Sequence, residues 1–136
     1  MKMSTKGRYG LRALIDLAVC ENGEPITLAT IAQRQHLSLN YLEQVFGVLR
    51  RAGIVKSIKG ANGGYRLAKK AEDITVKEVL EALEGKFSIV DMPEEEEQDY
   101  VQRAIQSLVW EQINKNVNDL LERRTLRQLM HGHAEQ

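Results

Sequence analysis

Apolar residues return at three- and four-residue steps in several segments, and turn-forming residues separate one segment from the next. From Lys6 to about Glu21, Tyr9, Leu14, Ile15, Leu17 and Ala18 share one side, and Lys6, Arg8 and Arg12 share the other, which predicts an amphipathic helix. Residues 1–5 before it read either as a short strand or as a frayed end. Pro25 bars a helix much earlier than Thr27, and Thr27–Gln35 then repeats Leu28, Ile31 and Ala32 on one face. His36 and Leu37 separate this short helix from Ser38, a spacing and chemistry suited to a tight helix-to-helix turn. Ser38 is the N-cap, and His36 is compatible with left-handed backbone. In the next helix, Ser38–Ala52, Leu42, Val45, Phe46 and Leu49 point inward. Asn40, Tyr41, Gln44 and Arg51 form a second stripe that stays wet.

After Gly53 the period changes from helical to alternating. The segments IVKSI and YRLAK, joined by KGANGG, predict a hairpin with a basic, glycine-rich tip. Thr75–Leu83 is helical again, with Val76, Val79, Leu80 and Leu83 inward, Thr75 and Glu78 as a capping box and Gly85 as the stop. A break comes at Phe87–Asp99, where a Met92-Pro93 pair precedes four consecutive carboxylates, Glu94–Glu97, the composition of a solvated segment. From Asp99 to Arg123 a single long helix is predicted. Its broad apolar stripe of Val101, Ile105, Leu108, Val109, Ile113, Val117, Leu120 and Leu121 is set against a partner copy. Thr125 with Gln128 opens a terminal helix through Leu126, Leu129 and Met130.

The resulting class is mainly α with a small β-hairpin wing, a winged helix-turn-helix followed by a long dimerisation helix. The expected division is a DNA-binding domain over 1–86, an acidic linker over 87–98, and dimerisation and C-terminal helices over 99–136. The formal charge sums to zero, which conceals a partition. Residues 1–70 hold twelve Lys and Arg against four Asp and Glu, a net of +8, and the remainder holds seven against fifteen, a net of −8. A basic half that carries the helix-turn-helix and an acidic half that does not is the pattern of a chain that meets phosphate at one end.

Asn and Gln side chains match the donor–acceptor edge of adenine in the major groove, and Arg matches guanine or a phosphate. Lys6, Arg8, Arg12, Arg50, Arg51 and Lys56 are candidates for phosphate contacts, which fix register without reading sequence. Cys20 is the single cysteine, so neither an internal disulfide nor a cysteine cage is available, and a packing role suits it. His131 and His133 lack a third ligand nearby. No nucleophile–base set, phosphate loop or zinc spacing occurs, which argues against an enzyme. With no signal segment or membrane-length apolar run, a cytoplasmic protein is expected. Two other readings stay open at this level: a winged-helix module that holds a protein, and a redox or small-molecule sensor acting through Cys20 or the linker.

The stretches STKGRYGLRALIDLA, LSLNYLEQVFGVLRRAGIVKSIKGANGGYRL and the late Thr125-Leu126 with Leu129 occur in an order that resembles the Rrf-type family of bacterial winged-helix regulators, the IscR, NsrR and CymR relatives. The resemblance implies a homodimeric repressor on a near-palindromic operator in double-stranded DNA, with the long helix as interface through Val101, Ile105, Leu108, Ile113, Val117 and Leu120. It places base contacts on Ser38, Asn40, Tyr41 and Gln44, and a minor-groove contact on Lys59 beside Gly60. Many members carry arginine at that wing position. The more strongly hydrated lysine implies weaker readout of groove shape. Cluster-binding members hold an iron–sulfur cluster with cysteines ahead of the long helix, where this chain reads SIVDMPEEEEQDYVQRAIQSLVW, so no cofactor is expected. The chain is most similar to the cluster-free, CymR-type branch of cysteine-metabolism repressors, which implies a cysteine synthase as signalling partner.

Overall fold

In the computed structural model, residues 2–20, 24–88 and 99–132 are described. Helix α1 (Thr5–Cys20) buries Gly7, Gly10, Ala13, Leu14, Leu17 and Ala18. Two of its glycines let it lie directly on α4 (Val76–Glu84): a Cβ on Gly10 would sit 2.6 Å from Leu83 Cδ1. The Gly7 amide donates to Glu84 Oε1 at 2.9 Å, and the Ser4 hydroxyl donates to the same oxygen. Residues 2–4 form no strand, and the Ser4 side chain is instead bonded to the end of α4.

Helix α2 (Leu28–Gln35) starts where Thr27 Oγ1 accepts from the Thr30 amide. It stops at His36, whose φ of 56° and ψ of 43° put it in the left-handed region expected of it. Helix α3 (Leu39–Arg51) opens on the Ser38 cap, with Ser38 Oγ 3.0 Å from the Tyr41 amide, and buries Leu42, Val45, Phe46 and Leu49. Such caps are worth about 1 kcal/mol each. An ionic knot, enclosed on the Asp16 side and open on the Arg34 side, joins α1 and α2. Asp16, with 6% of its side chain exposed, accepts from Arg34 Nε at 3.2 Å and from Gln35 Nε2 at 2.8 Å, and Arg34 Nη2 pairs with its other oxygen. Burial alone would raise the Asp16 carboxyl, but the hydrogen bonds from Arg34 and Gln35 and the Arg34 charge outweigh it and hold the group below its ordinary value.

Strands β1 (Val55–Ile58) and β2 (Gly64–Leu67) pair antiparallel in the register Val55–Leu67, Lys56–Arg66, Ser57–Tyr65 and Ile58–Gly64. Ile26, just ahead of α2, adds a single bridge to the other edge of β2 by exchanging both backbone hydrogen bonds with Tyr65, at 2.9 and 2.7 Å. Gly64 makes that approach possible, since a Cβ there would lie 2.6 Å from the carbonyl carbon and oxygen of Ile26.

Val76, Val79, Leu80 and Leu83 of α4 close the core as expected, and the Thr75–Glu78 capping box and the positive-φ Gly85 stop both form. One further residue enters from far along the chain. Thr125 bridges Thr75, the Leu126 amide donates to the Ile74 carbonyl at 3.0 Å, and Leu126 is fully buried beside Ile74. The terminal helix α7 (Leu126–Gly132), whose start is capped reciprocally by Thr125 and Gln128, is thus anchored in the same core as the helix-turn-helix.

The expected uninterrupted helix over 99–123 is corrected. Helix α5 (Tyr100–Ile105), opened by an Asp99–Gln102 capping box, passes through a π turn at Gln106–Trp110 into α6 (Glu111–Arg123). The wider turn advances the phase of the stripe, because an extra residue rotates the downstream helix by about 100°. Consequently α6 packs on α4 with Ile113, Val117 and Leu121 half-buried, while Val101, Ile105, Leu108, Val109 and Leu120 remain exposed. Residues 89–98, with the Met92-Pro93 pair and Glu94–Glu97, lie outside the described residues, as do Glu21 and His133.

Gly64→Ala should destabilise the chain by about 1 to 3 kcal/mol, the usual cost of forcing atoms into a packed site, and urea unfolding measures it. Asp16→Asn tests the ionic knot through pH. A depressed folded-state pKa adds stability that is fully present above the unfolded value, near 4, and is lost as pH falls through the lower folded value. The parent should therefore lose its advantage over Asp16→Asn only below about pH 4. Parallel stability curves for the two proteins from pH 7 to pH 3 would rule the knot out as a source of stability.

Candidate nucleic-acid interface

The buried face of α3 decides what its other face can do. With Leu42, Val45, Phe46 and Leu49 fixed in the core, Asn40, Glu43, Gln44, Arg50 and Arg51 are left exposed. Asn40, Gln44 and Arg51 succeed one another at steps of four and seven, so they stack along a single edge of the helix. Gly47 falls on the same edge and keeps it low between Gln44 and Arg51. A helix bearing two amides and a guanidinium along one ridge can enter a major groove and pair with base edges.

The remaining two residues of the expected base-reading set sit differently. The Ser38 hydroxyl oxygen is already taken as the acceptor that caps α3, and its proton is the group left to donate. Tyr41 is half-buried against the core, and its Oη is enclosed without a hydrogen-bond partner among the described residues. Of the expected base-reading set on α3, Asn40 and Gln44 are therefore presented outright, with Arg51 on the same edge and Glu43 and Arg50 exposed beside it.

The wing is locked to this helix through one ring pair. Phe46, from the buried side of α3, meets Tyr65 of β2 edge-to-face, with centroids 5.3 Å apart and planes at 67°. Tyr65 also carries the backbone bridge to Ile26. At the far end of the hairpin, Lys59 and Gly60 are exposed, Gly60 at a φ of 111°, and the Gly63 amide closes the turn on the Gly60 carbonyl at 3.0 Å. A Cβ on Gly63 would lie 2.3 Å from the Ile58 carbonyl oxygen, so the tip is as tight as backbone allows.

The cations expected on phosphate are distributed over three elements. Arg8 is exposed near the start of α1, Lys6 is half-buried beside it, Arg50 and Arg51 end α3, and Lys56 is exposed on β1. The Arg8 and Arg12 guanidinium groups lie 5.8 and 5.6 Å from the Tyr9 ring centroid, and Arg12 also donates to Gln35 Oε1 at 2.9 Å. Arg12 thus serves the α1–α2 contact as well as the surface. Residue-level reasoning finds in Tyr65 only a strand former and passes over Asp16. Signals for both exist in the sequence, an aromatic directly after paired glycines and a lone acid on an otherwise basic and apolar helix.

Cys20 is half-buried at the end of α1, with Sγ 3.7 Å from Asp16 Oδ1. Among the described residues, no three His, Cys, Asp or Glu side chains are gathered so as to hold a metal ion. No helix among them is long and apolar enough to cross a membrane.

Comparison with known proteins agrees with this geometry. The profile of Rrf2, described as an iron-dependent transcriptional regulator, matches residues 3–132. The chain is similar to the HTH-type transcriptional regulator CymR of Bacillus subtilis, 43% identical over 129 residues that make up 95% of this chain and 89% of that one. The solved structure of CymR, described as the global cysteine regulator of B. subtilis, superposes with a TM-score of 0.82 at 42% identity, covering 96% of both chains. The structure of T. potens IscR superposes with a TM-score of 0.77 at 39% identity, covering 98% of this chain and 88% of the other. The winged-helix fold is shared throughout. The iron in the family's description does not fit the residues here in the form of a thiolate-held cluster, because the sequence has one cysteine and it is turned to Asp16 on α1.

Proposed function

The chain belongs to the Rrf2 family of transcriptional regulators, and from that premise we propose that it is a cytoplasmic, homodimeric repressor that reads a near-palindromic operator in double-stranded DNA. The observation that supports this most directly is the exposed Asn40–Gln44–Arg51 edge of α3, held beside a basic wing by the Phe46–Tyr65 pair. Asn40 and Gln44 read base edges in the major groove, with Ser38 donating at the N-terminal end and Tyr41 reaching DNA only after its ring turns outward. Lys59, beside Gly60, enters the minor groove. Lys6, Arg8, Arg50, Arg51 and Lys56 hold the backbone on either side.

In this reading residues 1–86 form the DNA-binding unit, 87–98 the acidic linker, and 99–136 the dimerisation part, which Leu126 pins to the core of the first. The partner copy covers Val101, Ile105, Leu108 and Leu120, which are 60%, 40%, 73% and 42% exposed in a single chain, and reaches the half-buried Ile113 and Val117 of α6 only at their open edge. Large apolar side chains left this open on one helical segment are the kind of surface a partner covers. The likeness to CymR supports genes of cysteine and sulfur metabolism as targets and a cysteine synthase as the signalling partner.

Selection of bound sequences from a random duplex library should return a two-fold-symmetric site. On that site Gln44→Ala should cost about 1 to 3 kcal/mol while leaving random DNA almost unaffected, and Lys56→Ala should weaken both and flatten the salt dependence by about one unit of slope. Equal losses from Gln44→Ala on both DNAs would take it out of the base-reading set. In sedimentation equilibrium, Leu108→Asp should shift the protein from dimer to monomer and leave each chain folded, since this side chain touches no part of its own core. An unchanged dimer would place the interface elsewhere.

A further inference from the structure

Leu39 is the first residue of α3, directly after the Ser38 cap, and 43% of it is exposed. Among the described residues up to 86, Val19 near the end of α1 is the one other large apolar side chain left this open. Folding does not account for a leucine at this position. Leu39 belongs neither to the buried core nor to the apolar side chains packed on its rim, a group that takes in its neighbours Leu37 and Tyr41. The cap itself is made by Ser38 with the Tyr41 amide, so residue 39 brings only backbone to the helix start. A polar side chain would serve the local structure equally well and would not hold apolar surface in water. Leu39, Glu43 and Arg50 succeed one another at steps of four and seven, as Asn40, Gln44 and Arg51 do, so α3 carries two adjacent exposed ridges. In helix-turn-helix docking the N-terminal residues of the second helix meet the base edges. Leu39 stands at that end of its ridge, beside Asn40.

We propose that Leu39 is a specificity-determining residue that selects a thymine in each half of the operator by packing its side-chain methyls on the thymine C5-methyl. The inference rests on the DNA-reading function proposed above and adds a component to it. Base pairs fill the major groove with donors and acceptors, and the thymine methyl is the apolar group among them. Asn40 and Gln44 match the donors and acceptors, whereas an isobutyl side chain has only that methyl to match. The contact separates thymine from cytosine, whose C5 carries a hydrogen. It also disfavours a wrong base through desolvation, because a polar base atom placed under the leucine loses its water without gaining a hydrogen bond. Asn40 and Gln44, directed at adenine, supply neither effect.

The test uses the full chain and the site returned by selection from random duplexes. Each thymine of that site is replaced in turn by deoxyuridine, which removes the methyl and leaves every hydrogen-bonding group in place. Affinity is measured for the parent and for Leu39→Gln, Leu39→Met and Gln44→Ala. At one thymine in each half-site the parent should lose about three- to fivefold, the scale of one methyl-sized apolar contact. Leu39→Met keeps an apolar reach and should keep that penalty. Leu39→Gln should bind the natural site about as weakly as the parent binds the uridine site, and should lose nothing more on uridine. Gln44→Ala should retain the penalty, because its own loss falls on a different base. Tolerance of uridine at every position by the parent overturns the proposal, and this arm needs no substitution in the protein. Equal uridine penalties in the parent and Leu39→Gln assign the methyl to another side chain and overturn it as well. Selection that enriches no sequence overturns the DNA-reading function itself, so the two failures are told apart by whether a site emerges. Urea unfolding of Leu39→Gln should coincide with that of the parent, since the residue lies outside the core.

Discussion

The placement of the wing beside α3 depends on one close backbone contact, that of Gly64 and Tyr65 with Ile26. The two hydrogen bonds between Ile26 and Tyr65 attach the wing to the segment that leads into α2. On the same residue, the Tyr65 ring packs edge-on against Phe46, which is fully buried beneath the exposed ridge of α3. A hairpin of four-residue strands has little stability of its own in water. Here its position relative to α3 is set by a backbone bridge on one side and a ring contact on the other, so helix and wing form one rigid reader. The missing Cβ of Gly64 is the condition for the backbone bridge.

Most of the local structure could be read directly from residue types, because the devices that specify it are local. Ser38, Thr75 and Thr125 cap their helices with the partners expected from spacing, and His36 takes the left-handed turn. The buried faces of α3 and α4 agree with their periodicity. The contacts that escaped sequence reasoning are non-local. Leu126 enters a core built mainly from residues a long way earlier in the chain, Asp16 finds Arg34 and Gln35 across a helix pair, and Glu84 receives Ser4 and the Gly7 amide. None of these pairings leaves a mark in the spacing of either partner. Tyr41 shows the same limit at the interface. Its place on the helix put it among the readers, and packing turned its ring toward the core.

The π turn between α5 and α6 was invisible for a different reason. A helical stripe constrains the average period, and eight apolar residues over this length tolerate an extra residue without losing the pattern. The inserted residue matters structurally because it lets one continuous rod serve two surfaces. Ile113, Val117 and Leu121 of α6 are half-buried where it packs on α4, and Val101 and Ile105 of α5 with Leu108 of the π turn stay exposed. A straight helix with one stripe would have to choose between packing on its own domain and meeting another.

The charge distribution arises from the same division. A formal charge of zero reconciles with a nucleic-acid binder only because the basic residues are concentrated in the part that folds into α1, α3 and the hairpin. The iron expected from the family's description has no set of thiolates here to hold it.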